Sequence, residues 1–195
     1  MGTISISVAV LLASSTATPP GTTEACRAAA SAYFEAITRG DAEAALTLVA
    51  DPSDSDRLAV HASAASEAGL GRLEELARSR FGRRGDVGIA ARHRHLLDAI
   101  KSAPVELHGD RAVLRPAGER LVCLRQVDGA WKVVSPADRL TGEERKALRQ
   151  ALQKTEIATK ELAERIRSGA VKSAQEVRDA LRKALGSDEQ EGVPL

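Results

Sequence analysis

Hydrophobic and polar positions change their period twice along this chain, which divides it into helices, a short sheet and helices again. Between 24 and 38, Cys26, Ala30, Tyr33 and Ile37 recur at spacings of four, three and four, which lines one face of a helix. Gly40 stops that helix. Asp41 is placed to cap the next, AEAALTLVA, because its carboxylate can accept a free amide of the first turn, and Asp51-Pro52 ends it. Residues 54–82 read as two further Ala- and Leu-rich helices broken near Gly69 and Gly71, and residues 86–101 as another that stops before Pro104.

The period then shortens to two. Val105-Glu106-Leu107 and Ala112-Val113-Leu114 flank His108-Gly109-Asp110-Arg111, a hairpin signal, and Pro116-Ala117-Gly118 supplies the next turn. Leu121 to Val127 is nearly continuous in apolar residues, which predicts a strand covered on both faces. Asp128-Gly129 is a tight-turn pair, since both positions tolerate positive φ, and Trp131 to Val134 closes a meander of about four strands. Helical spacing returns with Thr141 and Glu144, a capping box, after which Leu148, Leu152, Thr155, Thr159, Leu162 and Ile166 form a narrow stripe. Gly169 ends this helix. Ser173 with Glu176 caps a second one carrying Val177, Leu181 and Leu185, so residues 141–185 predict a helical hairpin. The thin, threonine-diluted stripe suits docking on the main domain better than a long coiled coil. The last ten residues, 186–195, have no periodicity and read as a disordered tail.

The first 17 residues carry a different signal. Ile4 to Ala13 is an uncharged, mostly apolar run, followed by small residues at Ser15 and Ala17 and then by Thr18-Pro19-Pro20. That is the pattern of a secretory signal peptide with a short linker over 18–23, although no Lys or Arg precedes the run. Ten residues of helix span only about 15 Å, too short for an ordinary membrane crossing. The expected location is therefore exported, periplasmic or secreted. Export makes a Cys26–Cys123 disulfide chemically permissible, while the plainer reading of two cysteines is a pair of packed free thiols.

Charge and composition narrow the functions. The net charge is +1 and aromatics make up 2%, namely Tyr33, Phe34, Phe81 and Trp131, so stacking platforms for single-stranded nucleic acid are scarce. The balance is uneven: residues 18–71 carry 3 basic and 8 acidic groups, and residues 72–101 carry 8 basic and 4 acidic ones. Arg78, Arg80, Arg83, Arg84, Arg92 and Arg94 lie in the second stretch. One reading is a solvated face answering the acidic segment; the sharper one is a patch for an anionic partner.

Two segments together resemble the nuclear transport factor 2-like superfamily, which includes ketosteroid isomerase and polyketide-cyclase relatives. They are AYFEAITRGDAEAALTLVA at 32–50 and VDGAWKVVSP at 127–136, the latter preceded by HGDRAVLRP at 108–116. The likeness runs over residues 24–138. It implies an α+β domain in which a curved antiparallel sheet wraps around helices and leaves a conical pocket, with an outer sheet face that often forms a homodimer. In that scheme Asp41 caps, Gly129 turns and Trp131 packs between sheet and helix. The helical region 54–102 is larger than the family pattern, and the hairpin at 141–185 lies outside it.

Candidate chemistry is thin. The isomerase-like mechanism needs a carboxylate base and a donor such as tyrosine in a dry pocket. Tyr33 is the sole tyrosine and faces inward, but no acidic residue can be assigned as its partner, since Glu106, Asp110 and Glu119 read as surface charges. His93 and His95 are two apart and cannot share a helical face to grip a metal; His61 and His108 are distant, and either of the first two could pair with Asp98 only as a surface contact. No nucleophile elbow, phosphate loop or cofactor motif is present. The reading that fits best is a non-enzymatic exported module that binds a protein partner or small ligand. A pocket enzyme of isomerase, cyclase or dehydratase type and an assembly subunit acting through its terminal hairpin are the alternatives.

Overall fold

The computed structural model describes residues 22–135 and 141–185; the expected signal peptide, most of the linker and the terminal ten residues lie outside them. The chain is α+β. Helices α1 (Thr22–Arg39), α2 (Ala42–Thr47), α3 (Asp54–Phe81) and α4 (Ile89–Ser102) precede a four-stranded antiparallel sheet, and helices α5 (Gly142–Arg167) and α6 (Ala174–Leu185) follow it. The strands β1 (Val105–His108), β2 (Arg111–Leu114), β3 (Val122–Val127) and β4 (Ala130–Val133) lie side by side in chain order, as the turn chemistry predicts.

The helices start and stop where their side chains allow. Asp41 accepts the amide of Ala44 at 3.0 Å, and Ser53 with Asp56 closes a full capping box at the start of α3. Gly40 has a φ of +77°, and a Cβ there would stand 2.6 Å from that of Ala68, so the α1–α2 corner requires glycine twice over. One expectation fails at α3: Gly69 and Gly71 do not break it, and it runs unbroken for 28 residues. The buried stripe Leu70, Leu73 and Ala77 holds the helix through the glycines, and a Cβ on Gly69 would already meet Thr159 Oγ1 of α5 at 3.2 Å. The glycine admits a neighbouring helix there without ending its own.

Three apolar clusters result. Over the sheet, Cys26 and Ala30 of α1 and Ile100 of α4 pack with Ala112, Leu114, Val122, Leu124, Trp131 and Val133. A second core joins Leu70, Leu73 and Ala77 of α3 and Val87 and Ile89 before and in α4 to Leu162, Ile166, Val171, Val177 and Leu181. The helix α3 joins the second core to a third cluster, since Val60 and Ala64 at its other half pack with Ala36 and Ile37 of α1 and Ala45 and Leu46 of α2.

The pairing of α3 with α5 is parallel. Arg145 Nη1 donates to Ser55 Oγ at 3.3 Å near both starts, Thr159 faces Gly69 midway, and Arg80 reaches Gly169 at both ends. Backbone connectivity explains it. Ala50 N–H donates to the Val133 carbonyl at 2.9 Å and Val133 N–H to that of Leu48 at 2.8 Å, so the sheet exits beside the segment that leads into α3. Two helices that leave from one place in one direction run side by side.

Candidate functional site

Strand alternation sorts the sheet into two faces of different character. Val105, Leu107, Ala112, Leu114, Val122, Leu124, Trp131 and Val133 point toward α1 and α4. The other face carries Glu106, His108, Arg111, Val113, Cys123, Arg125, Val127 and Lys132, and none of these is fully buried. Among the described residues, β3 is therefore covered by helices on one face only, contrary to the expectation from its apolar run; Cys123, Arg125 and Val127 are half-buried and Leu121 at its margin is 54% exposed.

The same alternation settles the cysteines. Both thiols are free: Cys26 is buried in the core between α1 and the sheet, whereas Cys123 belongs to the opposite face. A bond between them would have to pass through the sheet. Burial pushes the Cys26 thiol up to about 11, with the Arg27 charge a smaller, opposing influence.

Tyr33 lies half-buried between the two apolar clusters that α1 touches, its ring edge-on to Phe34 at 5.2 Å. Sequence reasoning assigned it no acid, but the fold supplies one. Burial first, and the nearby Asp56 carboxylate second, raise the tyrosine above its ordinary pKa. Asp56 is 3% exposed. Its Oδ2 accepts from the Ser53 amide at 3.0 Å and from the Ser53 hydroxyl at 2.8 Å, while buried Oδ1 has no partner. The signal for this acid was the Ser53-x-x-Asp56 spacing, a capping box read only as a helix start. Neither the groove between α3 and α5 at Leu73 and Ala163 nor a smaller one at Ala62 and Leu152 includes Tyr33 or Asp56.

His93 also finds a partner the sequence did not suggest. Its Nε2 lies 2.7 Å from Glu67 Oε2 of α3, and Arg92 donates to both oxygens of the same carboxylate at 2.7 and 3.0 Å. The cluster ties α4 to α3. His95 and Asp98 are exposed on α4, His61 approaches Glu43 at 3.5 Å, and His108 lies 4.0 Å from Glu106. Among the described residues no group of His, Cys, Asp and Glu is arranged to hold a metal ion. Glu74, 4% exposed, is likewise structural: it accepts the amide of Ala90 at 2.8 Å, capping α4 from another helix, and takes Arg78 at 3.0 Å.

Two surface features remain. A groove of about 550 Å³ runs between α3 and α5, floored by Leu73, Leu76 and Ala163 and edged by Arg72, Glu156 and Lys160. On the open sheet face, His108, Arg111, Arg125 and Lys132 stand directly opposite one another across all four strands. Like charges in register oppose pairing. Asp51 answers Arg125 and Glu106 answers Arg115, while Arg111 and Lys132 have no acidic partner among the described residues.

Comparison with known proteins adds no relative: no protein-family model matches the chain, nor does any curated protein or solved structure.

Proposed function

We propose that this chain is an exported, non-enzymatic binding module with a nuclear transport factor 2-like core, completed by a terminal helical hairpin, and that it engages a protein partner through the outer face of its sheet. One observation carries the reading. The inner face is filled by α1 and α4, while among the described residues no helix covers the outer face, where Val113, Cys123 and Val127 lie beside cationic side chains. Apolar area ringed by charge is the composition of a partner-binding surface. Symmetric self-association through this face fits less well, because a two-fold axis would bring the row containing Arg111, Arg125 and Lys132 against its own copy.

The pocket-enzyme reading keeps one supporting feature, the Asp56 carboxylate near Tyr33 with an unpartnered oxygen. That carboxylate already closes the capping box of α3, which favours a structural role for it. Native mass spectrometry of the chain isolated from its own cells separates the two. The binding reading expects a retained protein that Val113→Glu releases. Turnover of steroid enones or polyketide-like substrates by the purified chain, abolished in Tyr33→Phe, would replace it with catalysis.

A further inference from the structure

The far tip of the paired helices carries charge that the fold does not use. The parallel course of α3 and α5 brings their C-terminal ends together, and the 3-10 turn Gly82–Gly85 folds back against α3 so tightly that a Cβ on Gly85 would stand 2.3 Å from the Ala77 carbonyl oxygen. Five cations gather there. Arg80 at the end of α3, Arg83 and Arg84 in the turn, Arg165 in the last turn of α5 and Lys172 just beyond it are all exposed. None has an acidic partner among the described residues, whereas neighbouring Arg78 pairs with Glu74 and Asp86, and Arg167 with Glu164.

Helix ends attract cations, so the size of that attraction decides whether five are surplus. Each C-terminus carries about half a negative charge, about one for the pair. The carboxylates on these elements that stand outside the ion pairs are Glu75, Glu161, one turn before Arg165, and Glu176, which is occupied with the Lys172 amide at 3.1 Å and the cap of α6. Set against those three carboxylates and the dipoles, a surplus of about one positive charge remains on this tip.

We infer that this tip adsorbs to an anionic lipid bilayer. Three features select that partner. The cations lie on exposed side chains, and Arg80, Arg83, Arg84, Arg165 and Lys172 line neither of the two grooves described, so neither groove gathers them around a small anion. Among the described residues the large exposed apolar ones, Leu58, Leu121, Ile157 and Leu185, lie elsewhere, and Phe81 packs against the second core, so these residues give the tip no apolar centre of a protein interface. A charged membrane surface needs neither, because each cation near it contributes separately. The inference is independent of the sheet-face reading above.

Co-sedimentation of the purified full chain with vesicles tests it. At low salt the chain binds vesicles of equal parts phosphatidylcholine and phosphatidylglycerol, does not bind phosphatidylcholine alone, and is released in high salt as screening shortens. With about fivefold contributed per cation, Arg83→Gln with Arg84→Gln weakens binding roughly tenfold or more. Arg57→Gln with Arg149→Gln, which removes the same charge at the opposite end of the helix pair, leaves it unchanged. Circular dichroism confirms that both variants are folded. The inference is overturned by absence of binding to the anionic vesicles, by equal weakening in the two variants, or by retention on immobilised polyglutamate without vesicle binding.

Discussion

The two ends of the α3–α5 pair are built on opposite terms. At the starts, capping boxes at Ser53–Asp56 and Thr141–Glu144 hold the free amides, and Leu148, Leu152 and Thr155 of α5 are only half-buried. At the far ends packing is dense and charge is in excess, with Leu73, Ile166 and Val177 almost fully covered beneath unpaired arginines. The difference teaches where α5 is anchored. It is held most firmly by its second half, through the core shared with α6, while its first half leans on α3 through half-buried side chains.

Truncating the anchor is the strongest way to break this contrast. Ile166→Ala removes a side chain with no exposed surface and lowers unfolding free energy by about 2–5 kcal/mol. Leu148→Ala at the half-buried end costs less, since part of its apolar surface stays in water on folding. Urea titration of both variants measures the ratio; equal costs would mean that the helix is held along its whole length.

Glycines sharpen the comparison next. Gly40→Ala meets Ala68 and a left-handed backbone together, and is expected to destabilise by about 1–3 kcal/mol. Gly71→Ala, in the interior of α3 with no atom within 4 Å of the new Cβ, stabilises by about 0.5–1 kcal/mol. Opposite shifts in melting temperature check the pair, and a loss at both positions would contradict the unbroken course of α3.

Smaller effects belong to the starts. Ser53→Ala removes the cap of α3 and costs about 1 kcal/mol. The Thr141 amide and hydroxyl hold the Glu144 carboxyl below its usual range, so its contribution is present above the ordinary value of 4.5 and is lost as pH falls through the lowered one. Glu144→Gln is therefore less stable than the parent at neutral pH, with the gap closing in acid melts. Thiol labelling tests the faces of the sheet: Cys123 reacts with a maleimide at neutral pH, and Cys26, buried and raised to about 11, stays unmodified until unfolding. The raised Cys26 value also means that stability is full below 9.0 and declines above it.

Much of the architecture was legible because it is encoded locally. Asp41, Thr141 and Ser173 announce helix starts by their own side chains, and Asp128-Gly129 announces a turn by its tolerance of positive φ, here 51° and 79°. What failed depended on neighbours distant in sequence. Gly69 resembles a break until α5 is seen to lie against it, and the apolar run from Leu121 to Val127 looks doubly covered until its alternate members are found facing outward. The surroundings of Tyr33 were hidden for the same reason, since Asp56 reaches it from another helix. The surplus of arginine was visible in the chain, but its meaning waited on which of those residues found carboxylates.

Native-state hydrogen exchange along α3 tests most directly the claim that one helix serves two cores. Amides around Leu70–Ala77 should exchange as slowly as those around Ala30–Ile37, both through global unfolding. Rapid exchange of the first group beside slow exchange of the second would show that the tail does not hold α3, and that the two ends described here are not parts of one folded unit.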